Sequence, residues 1–547
     1  MERFAELLDR LLLTPQRNGK LRLLVDYFRH VPDPERGYAL AAITGGLDIR
    51  SVKPAMLRAL MAERMDEVLF GYSYDYVGDL AETIALAWPE RELAGASGPL
   101  PAPPGLAEVI HALDGATRAE GPRLVEAWLD VLESQGRYAL LKLVTGSLRI
   151  GVSSRLAKQA LADFGTRDVA EIEELWHGLT PPYEDLFAWL EGRADKPASA
   201  ARAPFRPVML SQPLEDGDQA RIKPEDYAAE WKWDGIRVQA TVDGGVRRLY
   251  SRTGDDISGS FPDLVDYMTY DGTLDGELLV ARAALPDEPA VEGGGIVAAS
   301  FSDLQQRLNR KAVSAAVMRK YPVFLRAYDL LQDGAEDIRA LTYTERRRRL
   351  EAFLVHLEPT RFDLSHQVAY RSLDELAAMR AEPPHSVIEG LMLKQLTSPY
   401  VPGRPKGPWF KWKRNPHLID AVLMYAQRGH GKRSSYYSDY TFGVWTGPED
   451  APELVPVGKA YFGFTDEELR RLDKYIRDNT IERYGPVRSV RAEPDHGLVI
   501  EVAFEGLQKS ARHRSGVAMR FPRVSRLRWD KPAFEADRLD TLQAMLQ

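Results

Sequence analysis

The sequence predicts a multidomain protein with a helical N-terminal part, a mixed α and β middle part, and a small C-terminal barrel of β-strands. The chain has 547 residues, which is too long for a single hydrophobic core. Residues 1 to about 192 carry Leu, Ala and Glu at helical spacing, whereas short strand-like runs dominate from about residue 205. From about residue 415 these runs continue with one helix among them, and roughly five strands with one helix fit a small barrel.

Composition and local pattern place the boundaries between these parts. Residues 191–213 are rich in Ala, Pro and Arg and lack periodicity, so they indicate a linker. Val238, Ala240 and Val242 alternate with polar residues ahead of an Asp-Gly-Gly turn at 243–245, which predicts a β-hairpin. Further strands are expected at 273–281, 321–331 and 386–396, and a helix at 342–357. The predicted domains are 1–204, 205–414 and 415–547.

Composition also excludes several classes of chemistry. The chain has no cysteine, which excludes disulfides, zinc fingers and thiol nucleophiles. No window holds the roughly 18 consecutive apolar residues of a membrane helix, and the N-terminus has no cleavage site, so we expect a cytoplasmic protein without a membrane partner. Although the net charge is −8, residues 406–417 and 509–531 interleave basic and aromatic side chains, which suits phosphate contact and base stacking. A solvated charged surface is the alternative for either run.

One lysine stands in an unusual setting. Lys232 lies between Trp231 and Trp233 and is followed by Asp234 and Gly235. An exposed lysine needs no aromatic neighbours, so Lys232 either runs along an apolar wall or occupies a partly desolvated pocket for chemistry. Its segment opens an ordered series that comprises EWKWDGIR (230–237), SRTGDD (251–256), LDGELL (274–279), FLRAYDL (324–330), IEGLMLK (388–394), WFKWK (409–413) and RFPRVSRLRWDK (520–531).

This series resembles motifs I, Ia, III, IIIa, IV, V and VI of ATP-dependent DNA ligases. These enzymes belong to the lysyl nucleotidyltransferase superfamily, together with RNA ligases and mRNA capping enzymes. Residues 71–89 and 140–161 are also similar to the DNA-binding domain of the ligases. The resemblance implies an all-α DNA-binding domain, an α+β nucleotidyltransferase (ATP-grasp-like ligase) domain and a C-terminal all-β OB-fold barrel, in a monomer that encircles nicked duplex DNA.

The resemblance implies that Lys232 attacks the α-phosphate of ATP, expels pyrophosphate and carries AMP as a phosphoramidate. The AMP then passes to the 5′-phosphate at a nick, and the 3′-hydroxyl displaces it. An unperturbed lysine, with a pKa of about 10.4, is mostly protonated at neutral pH, so this nucleophile must be desolvated or lie beside other cations. The flanking tryptophans and the downstream lysines are the candidates for these two effects.

The resemblance also assigns the nucleoside contacts. Tyr328 corresponds to the aromatic residue that stacks on adenine. Glu230 corresponds to the residue that accepts from the adenine amino group, which favours ATP over GTP because guanine presents an acceptor there. Arg237 and Glu277 match positions that hold the ribose or order the site around it.

The phosphate and metal contacts follow in the same way. Arg252 and Lys411 should contact phosphate oxygens, with Lys413 close behind. Glu277 and Glu389 match the positions that hold the divalent ion, which is Mg²⁺ or, alternatively, Mn²⁺. Mg²⁺ commonly takes one or two carboxylates, with waters completing its shell.

The C-terminal motif resembles motif VI, which in the family covers the triphosphate only during the first step. Trp529 departs from the family pattern, which usually has a polar residue at that position. A domain that approaches and then turns away needs a hinge, and residues 413–422 with Asp420 are the candidate. The candidate triphosphate contacts are Arg520, Arg523, Arg528, Asp530 and Lys531.

Three basic residues of the helical part are candidates for DNA contact. Lys142, Arg149 and Arg155 lie in the segment similar to the one that holds backbone phosphates in the family. Phosphate contacts position a duplex without reading its sequence, and they weaken with salt. The alternative is that these residues are surface charges on a packed helix pair.

Three functions are compatible with these observations. The first is an ATP-dependent DNA ligase. The second is an RNA ligase or capping-type enzyme, which the similarity of the helical part to a duplex-DNA binder disfavours. The third is a catalytically silent nucleic-acid clamp, which the intact Lys232, Glu277 and Glu389 disfavour.

Overall fold

The computed structural model describes residues 1–77, 79–89, 101–146, 148–197, 202–284, 296–308, 310, 313–428, 437–448, 450–460, 466–485, 487–510 and 513–546. Residues 198–201 in the middle of the predicted linker lie outside the described residues, as do 78, 147, 461–465 and 511–512 in other predicted segments. None of the helices in the described part is both long enough and apolar enough to cross a membrane.

The N-terminal part is helical, as predicted. Side-chain caps define several helix starts: Asp79, Ser153 and Asp168 each accept a hydrogen bond from a backbone N–H in the first turn of the following helix. The helices are α1 Glu2–Leu13, α2 Arg17–His30, α3 Glu35–Thr44, α4 Pro54–Ala62, α5 Glu67–Val77, α6 Leu80–Ala87, α7 Leu106–Gly115, α8 Glu120–Val131, α9 Ser134–Thr145, α10 Ser154–Gly165, α11 Val169–Leu175 and α12 Glu184–Leu190.

The middle part contains eleven strands and six helices within the described residues. The strands are β1 Gln212–Pro213, β2 Tyr227–Trp233, β3 Ile236–Asp243, β4 Val246–Ser251, β5 Gly272–Val280, β6 Val323–Asp333, β7 Glu336–Asp337, β8 Phe362–Leu364, β9 Gln367–Val368, β10 Ile388–Gln395 and β11 Trp409–Lys413. The helices are α13 Asp216–Gln219, α14 Pro262–Val265, α15 Phe301–Gln305, α16 Ala315–Lys320, α17 Tyr343–Leu354 and α18 Leu373–Ala381. The predicted strands at 273–281, 321–331 and 386–396 and the predicted helix at 342–357 correspond to β5, β6, β10 and α17.

These strands form two sheets. The five-stranded sheet has the order β1-β11-β10-β2-β9, and the six-stranded sheet has the order β4-β3-β5-β6-β7, with β8 paired to β6. The predicted hairpin is β3–β4, in which Asp243 pairs with Val246. Alternate residues of β3, β5 and β6, such as Val238, Leu274 and Leu325, form a buried core on one face of the six-stranded sheet. The chain passes from one sheet to the other between β2 and β3, directly after Lys232.

The C-terminal part has more strands than the predicted five. A seven-stranded sheet contains β12 to β17 and β20, and β18 pairs with β19 separately. The strands are β12 His417–Arg428, β13 Tyr437–Thr446, β14 Glu453–Ala460, β15 Thr480–Tyr484, β16 Val487–Val490, β17 Val499–Phe504, β18 Gly506–Lys509, β19 Val517–Arg520 and β20 Arg523–Arg528. The helices are α19 Asp466–Asp478 and α20 Leu539–Ala544. The sequence pattern did not indicate β15, β16 or α20, because each is short and largely polar or exposed on one face.

The contacts divide the chain into two compact units. One comprises residues 1–16, 47–151 and 416–547, and therefore contains the C-terminal sheet. The other comprises residues 17–46 and 152–415, and therefore contains both sheets of the middle part together with α2, α3 and α10 to α12.

Candidate active site

Strand β2 carries Glu230 and Lys232 on one face and Trp231 and Trp233 on the other, because side chains alternate along a strand. Trp233 is buried in a cluster with Leu279, Phe324 and Ile388, and Trp231 packs partly against it. The tryptophans therefore anchor the strand in the core behind Lys232. The suggestion that they desolvate the Lys232 amine is wrong, because they lie on the opposite face of the strand.

The Lys232 ammonium donates a hydrogen bond to Oε1 of Glu389, 157 residues further along the chain. Glu389 Oε2 lies 2.9 Å from Lys413 Nζ. Burial alone would raise the pKa of Glu389, but the neighbouring Lys232 and Lys413 lower it below its ordinary value. The carboxylate is therefore held ionised between two amines.

A β-bulge positions Glu389. Strand β10 pairs with β2 through Ile388 and Trp233 and then through Gly390 and Lys232, so Glu389 is the extra residue of the bulge. Gly390 has φ of +151°, and a Cβ there would lie 2.3 Å from the Trp412 carbonyl oxygen. Only glycine fits this close approach. The Glu-Gly pair of the motif thus turns the carboxylate toward Lys232.

Glu277 lies on β5, opposite Arg237 on β3. The chain packs tightly beside it, since a Cβ on Gly235 would lie 2.5 Å from the Leu278 carbonyl oxygen. Burial, together with the nearby Glu389, raises the pKa of Glu277 to about 8, although Lys232 and Arg237 oppose this. Among the described residues none donates a hydrogen bond to this carboxylate. Glu277 is therefore a partly buried acid that lies near Lys232 and Arg237 but accepts no hydrogen bond within the described residues.

Several cations surround these carboxylates. Burial and the neighbouring Arg404, Lys232, Lys413 and Arg252 lower the pKa of Lys411 on β11. Burial and the cations Arg237 and Arg404 likewise lower the pKa of Arg252, which follows β4. Repulsion among these neighbouring cations indicates a site that binds an anion.

The Arg237 guanidinium donates its hydrogen bonds to other groups of the protein. Its guanidinium donates to Asp275 at 2.6 and 3.0 Å, to the Met209 carbonyl at 2.7 Å and to the Tyr400 hydroxyl at 3.0 Å. Tyr400 also donates to Asp275 at 2.6 Å. Of the two implied functions of Arg237, this network corresponds to ordering the site.

The structure also brings together the residues assigned to the base. Glu230 is buried, and Lys394 and Tyr343 contact its carboxylate. The Lys394 ammonium lies 4.5 Å from the centre of the Tyr328 ring. Sequence reasoning did not single out Lys394, Tyr343 or Asp275. The available signal was Lys394 itself, a charged residue in an otherwise apolar stretch of the strand IEGLMLKQ.

The two carboxylates near Lys232 fit a divalent ion. Mg²⁺ is commonly held by one or two carboxylates together with water and substrate phosphates. Glu277 suits this role because it lies near Glu389 and accepts no hydrogen bond from the residues that the structure describes. No cluster of three or more acidic or histidine side chains that could hold a metal ion by itself occurs in the described part of the chain. Residues of the chain could thus provide part of a shell that substrate would complete.

The motif VI residues belong to the other compact unit. Arg528 and Lys531 both contact Asp420, at 3.1 and 2.8 Å, and Arg528 also pairs with Asp530 at 2.9 Å. Arg523 lies 3.9 Å from Glu505, and Arg520 ends β19. Trp529, which departs from the family pattern, packs against Tyr475 and lies under Arg471.

The three candidate DNA contacts differ in exposure. Lys142 is only 4% exposed and forms an ion pair with Asp79, which also caps α6. Arg149 is exposed, with φ of +46°. Arg155 is exposed on α10, 3.7 Å from Glu173. Lys142 would reach a phosphate only if its buried ion pair opened, whereas the two arginines can do so as they stand.

A lysine that lies among carboxylates and cations, on a strand that joins two sheets, is the arrangement expected of a lysyl nucleotidyltransferase. Residues 208–413 match the family model described as ATP dependent DNA ligase domain, and residues 433–531 match the ATP dependent DNA ligase C terminal region. A probable DNA ligase of Koribacter versatilis is 35% identical over 465 residues, covering 80% of this chain and 77% of that protein. DNA ligase 1 of Korarchaeum cryptofilum is 30% identical over 570 residues, covering 100% and 98%.

A solved structure titled Pmar-Lig_PreS3 shares the fold, with a TM-score of 0.57 over 96% of this chain and 99% of that chain, at 14% identity. The chain belongs to the ATP-dependent DNA ligase family. Members of this family seal nicks in DNA through an adenylate intermediate. The resemblance noted in the motif series is therefore confirmed.

Proposed function

We propose that this chain seals 5′-phosphate/3′-hydroxyl nicks in duplex DNA and that Lys232 is its nucleophile. The observation that carries this proposal is the Lys232 amine held against Glu389, beside Lys413 and with a cluster of further cations nearby. Family membership supports the reaction, and the geometry supports the choice of Lys232 and its neighbours.

In the first step, Lys232 Nζ forms a bond to the α-phosphorus of ATP while the bond to pyrophosphate breaks, and pyrophosphate leaves with the electron pair. Glu389 accepts the hydrogen bond of the amine, so it orients the nucleophile and is placed to take its proton. Arg252, Lys411 and Lys413 contact phosphate oxygens, because in-line displacement at phosphorus requires position and positive charge. The same cations serve the transfer of AMP to the 5′-phosphate.

Separate sets of residues contact the adenine base and the divalent ion. Tyr328 stacks on adenine, Glu230 accepts from its amino group, and Arg237 orders the pocket through Asp275 and Tyr400. Glu277 and Glu389 would hold Mg²⁺ or, alternatively, Mn²⁺. When bound, the ion neutralises charge that develops on the phosphates.

We also propose three domains at 1–204, 205–414 and 415–547: an all-α DNA-binding domain, an α+β nucleotidyltransferase domain and an OB-fold. The ranges of the two matching family models, 208–413 and 433–531, support this division. A monomer of this kind encircles nicked DNA, with Arg149 and Arg155 on backbone phosphates and with the motif VI residues over the triphosphate in the first step. We also propose that the protein works in the cytoplasm, in association with the nucleoid if its source is prokaryotic.

The proposal is tested by incubating the protein with α-labelled ATP and Mg²⁺, after treatment with pyrophosphate to remove any AMP already attached. Lys232→Ala is compared with Lys223→Ala, which changes an exposed lysine just before the same strand. We expect label on the wild type and on Lys223→Ala only, and release of label with closure of the nick when nicked DNA is added.

Two results would contradict the proposal. Sealing of an RNA nick but not of a DNA nick would favour the RNA ligase hypothesis. Absence of label with either Mg²⁺ or Mn²⁺ would favour the clamp.

A further inference from the structure

A buried lysine that the reaction does not use lies below the proposed base site. Lys394 on β10 is 1% exposed, and its ammonium is surrounded by aromatic rings. The distances from Nζ to the ring centres are 4.5 Å for Tyr328, 4.8 Å for Trp409 and 5.4 Å for Tyr343. An ammonium in such a setting is held by cation–π attraction and does not reach solvent.

Glu230 is the carboxylate, among the described residues, that is in contact with this ammonium. Lys394 Nζ lies 3.0 Å from Glu230 Oε1, and both side chains are 2% exposed. The strand register explains the contact, since Met392 pairs with Glu230 and Lys394 with Ala228, which makes Lys394 and Glu230 diagonal neighbours on adjacent strands. Burial lowers the pKa of Lys394, although the carboxylates of Glu230 and Asp329 oppose this.

The contacts that the described residues make with the Glu230 carboxylate fall on one oxygen, Oε1. Oε1 accepts from the Tyr343 hydroxyl at 2.5 Å and from Lys394, and Arg347 lies 3.9 Å from it. Gln367 in turn donates to the Tyr343 oxygen at 3.2 Å, which fixes that hydroxyl. Within the described residues, Oε2 has no hydrogen-bond donor. The carboxylate thus has one saturated oxygen and one open acceptor.

We infer that Lys394 and Tyr343 are the positioning residues that determine purine specificity, by holding the Glu230 side chain with Oε2 open to the exocyclic amino group of the base. This inference rests on the proposed function. An adenine amino group donates to Oε2, whereas a 6-oxo purine presents a second acceptor to it. Two acceptors that face each other in a buried site leave both unpaired, which strongly disfavours the 6-oxo base.

The positive charge of Lys394 is what makes this discrimination possible. Without it, Glu230 would be a buried carboxylate whose nearest cation is Arg347, and an unpaired buried charge is costly. Oε1 would then lose one of its two hydrogen-bond donors, and Oε2 would no longer be held toward the base. The site would therefore lose much of its preference for the amino-bearing purine.

The test compares self-adenylation with labelled ATP and with labelled ITP, which has the 6-oxo group but no 2-amino group. Lys394→Met keeps the length of the side chain and removes its charge. Lys320→Met changes an exposed lysine on α16 and is the matched control. We expect the ratio of kcat/KM for ATP to kcat/KM for ITP to fall about tenfold or more in Lys394→Met, chiefly through KM, and to stay unchanged in Lys320→Met.

Tyr343→Phe provides a second and milder variant, because it removes only the hydroxyl that donates to Oε1. We expect a smaller fall in the same ratio. If both variants fold and lower the rates with ATP and ITP by one common factor, Lys394 and Tyr343 are merely structural and the inference is overturned. If Lys394→Met does not fold, an unchanged ratio in Tyr343→Phe overturns it. Failure of the wild type to accept label from either nucleotide would instead contradict the proposed function.

Discussion

Lys232 on β2 donates a hydrogen bond to Glu389, which a bulge at the start of β10 turns toward it. The two residues are 157 positions apart, and the pairing of two neighbouring strands brings them together. A nucleophile and a carboxylate in this arrangement act as one unit, so the loss of either should stop the first step of the reaction.

Glu389→Gln should slow self-adenylation by about 100-fold or more, because an amide neither takes a proton from the Lys232 amine nor attracts a divalent ion. The rate of label transfer from ATP measures this. Glu382→Gln changes an exposed residue between α18 and β10, and as the control it should leave the rate unchanged. A Glu389→Gln enzyme with a normal adenylation rate would mean that Glu389 only pairs with Lys232 at rest.

Gly390→Ala should destabilise the fold by about 1–3 kcal/mol, because the new Cβ would meet the Trp412 carbonyl at a backbone conformation that other residues rarely adopt. It should also reduce adenylation, since the bulge aims Glu389. Urea denaturation measures the first effect. Gly217→Ala is the control, because α13 leaves open space around that position and alanine favours a helix. Equal stability of the two variants would contradict the expectation.

His177 should make the protein less stable in acid. Burial lowers its pKa from 6.5 to about 4, with Lys158 adding to the effect and Asp255 and Asp256 opposing it. The unfolded chain therefore binds a proton that the folded chain does not bind between about pH 6.5 and pH 4, so stability falls as pH falls through this window.

Substitution of His177 by Phe, which suits its aromatic neighbours Tyr250 and Phe205, should remove about 1–3 kcal/mol of this acid destabilisation. Melting temperatures at pH 7 and pH 4.5 measure the difference. His356→Phe changes an exposed histidine and should keep the wild-type slope. An identical pH dependence for wild type and His177→Phe would disprove the assignment.

Substitution of Lys142 should affect stability, whereas substitution of Arg149 should affect DNA binding. Lys142→Met should lower stability by about 1–3 kcal/mol, because it leaves Asp79 without its partner. Arg149→Ala should leave stability nearly unchanged but weaken binding to nicked DNA. The affinity for DNA should also depend less on salt concentration, because one phosphate contact is lost. Thermal melting and DNA titration at several salt concentrations separate the two effects. A Lys142→Met protein of normal stability that binds DNA weakly would make Lys142 the phosphate contact.

Local features of the chain were predictable because they depend on neighbouring residues. The hairpin β3–β4 follows from the alternation around Val238 and the Asp-Gly-Gly turn, and the helices of the N-terminal part follow from apolar spacing and capping residues such as Ser153. Short strands such as β15 and β16 were missed, since so few residues carry almost no periodic signal.

The sequence by itself determined most of the longer elements, the order of the motifs and most of the residues proposed to carry the chemistry. Tertiary structure decided which of them meet. It placed Trp231 and Trp233 on the face of β2 opposite Lys232, and it brought Lys394 into contact with Glu230. It also removed Glu277 partly from solvent beside Glu389, which raises its pKa to about 8. These relationships depend on strand register, on a bulge and on burial by distant segments, and no pattern of nearby residues encodes a contact between side chains more than a hundred positions apart.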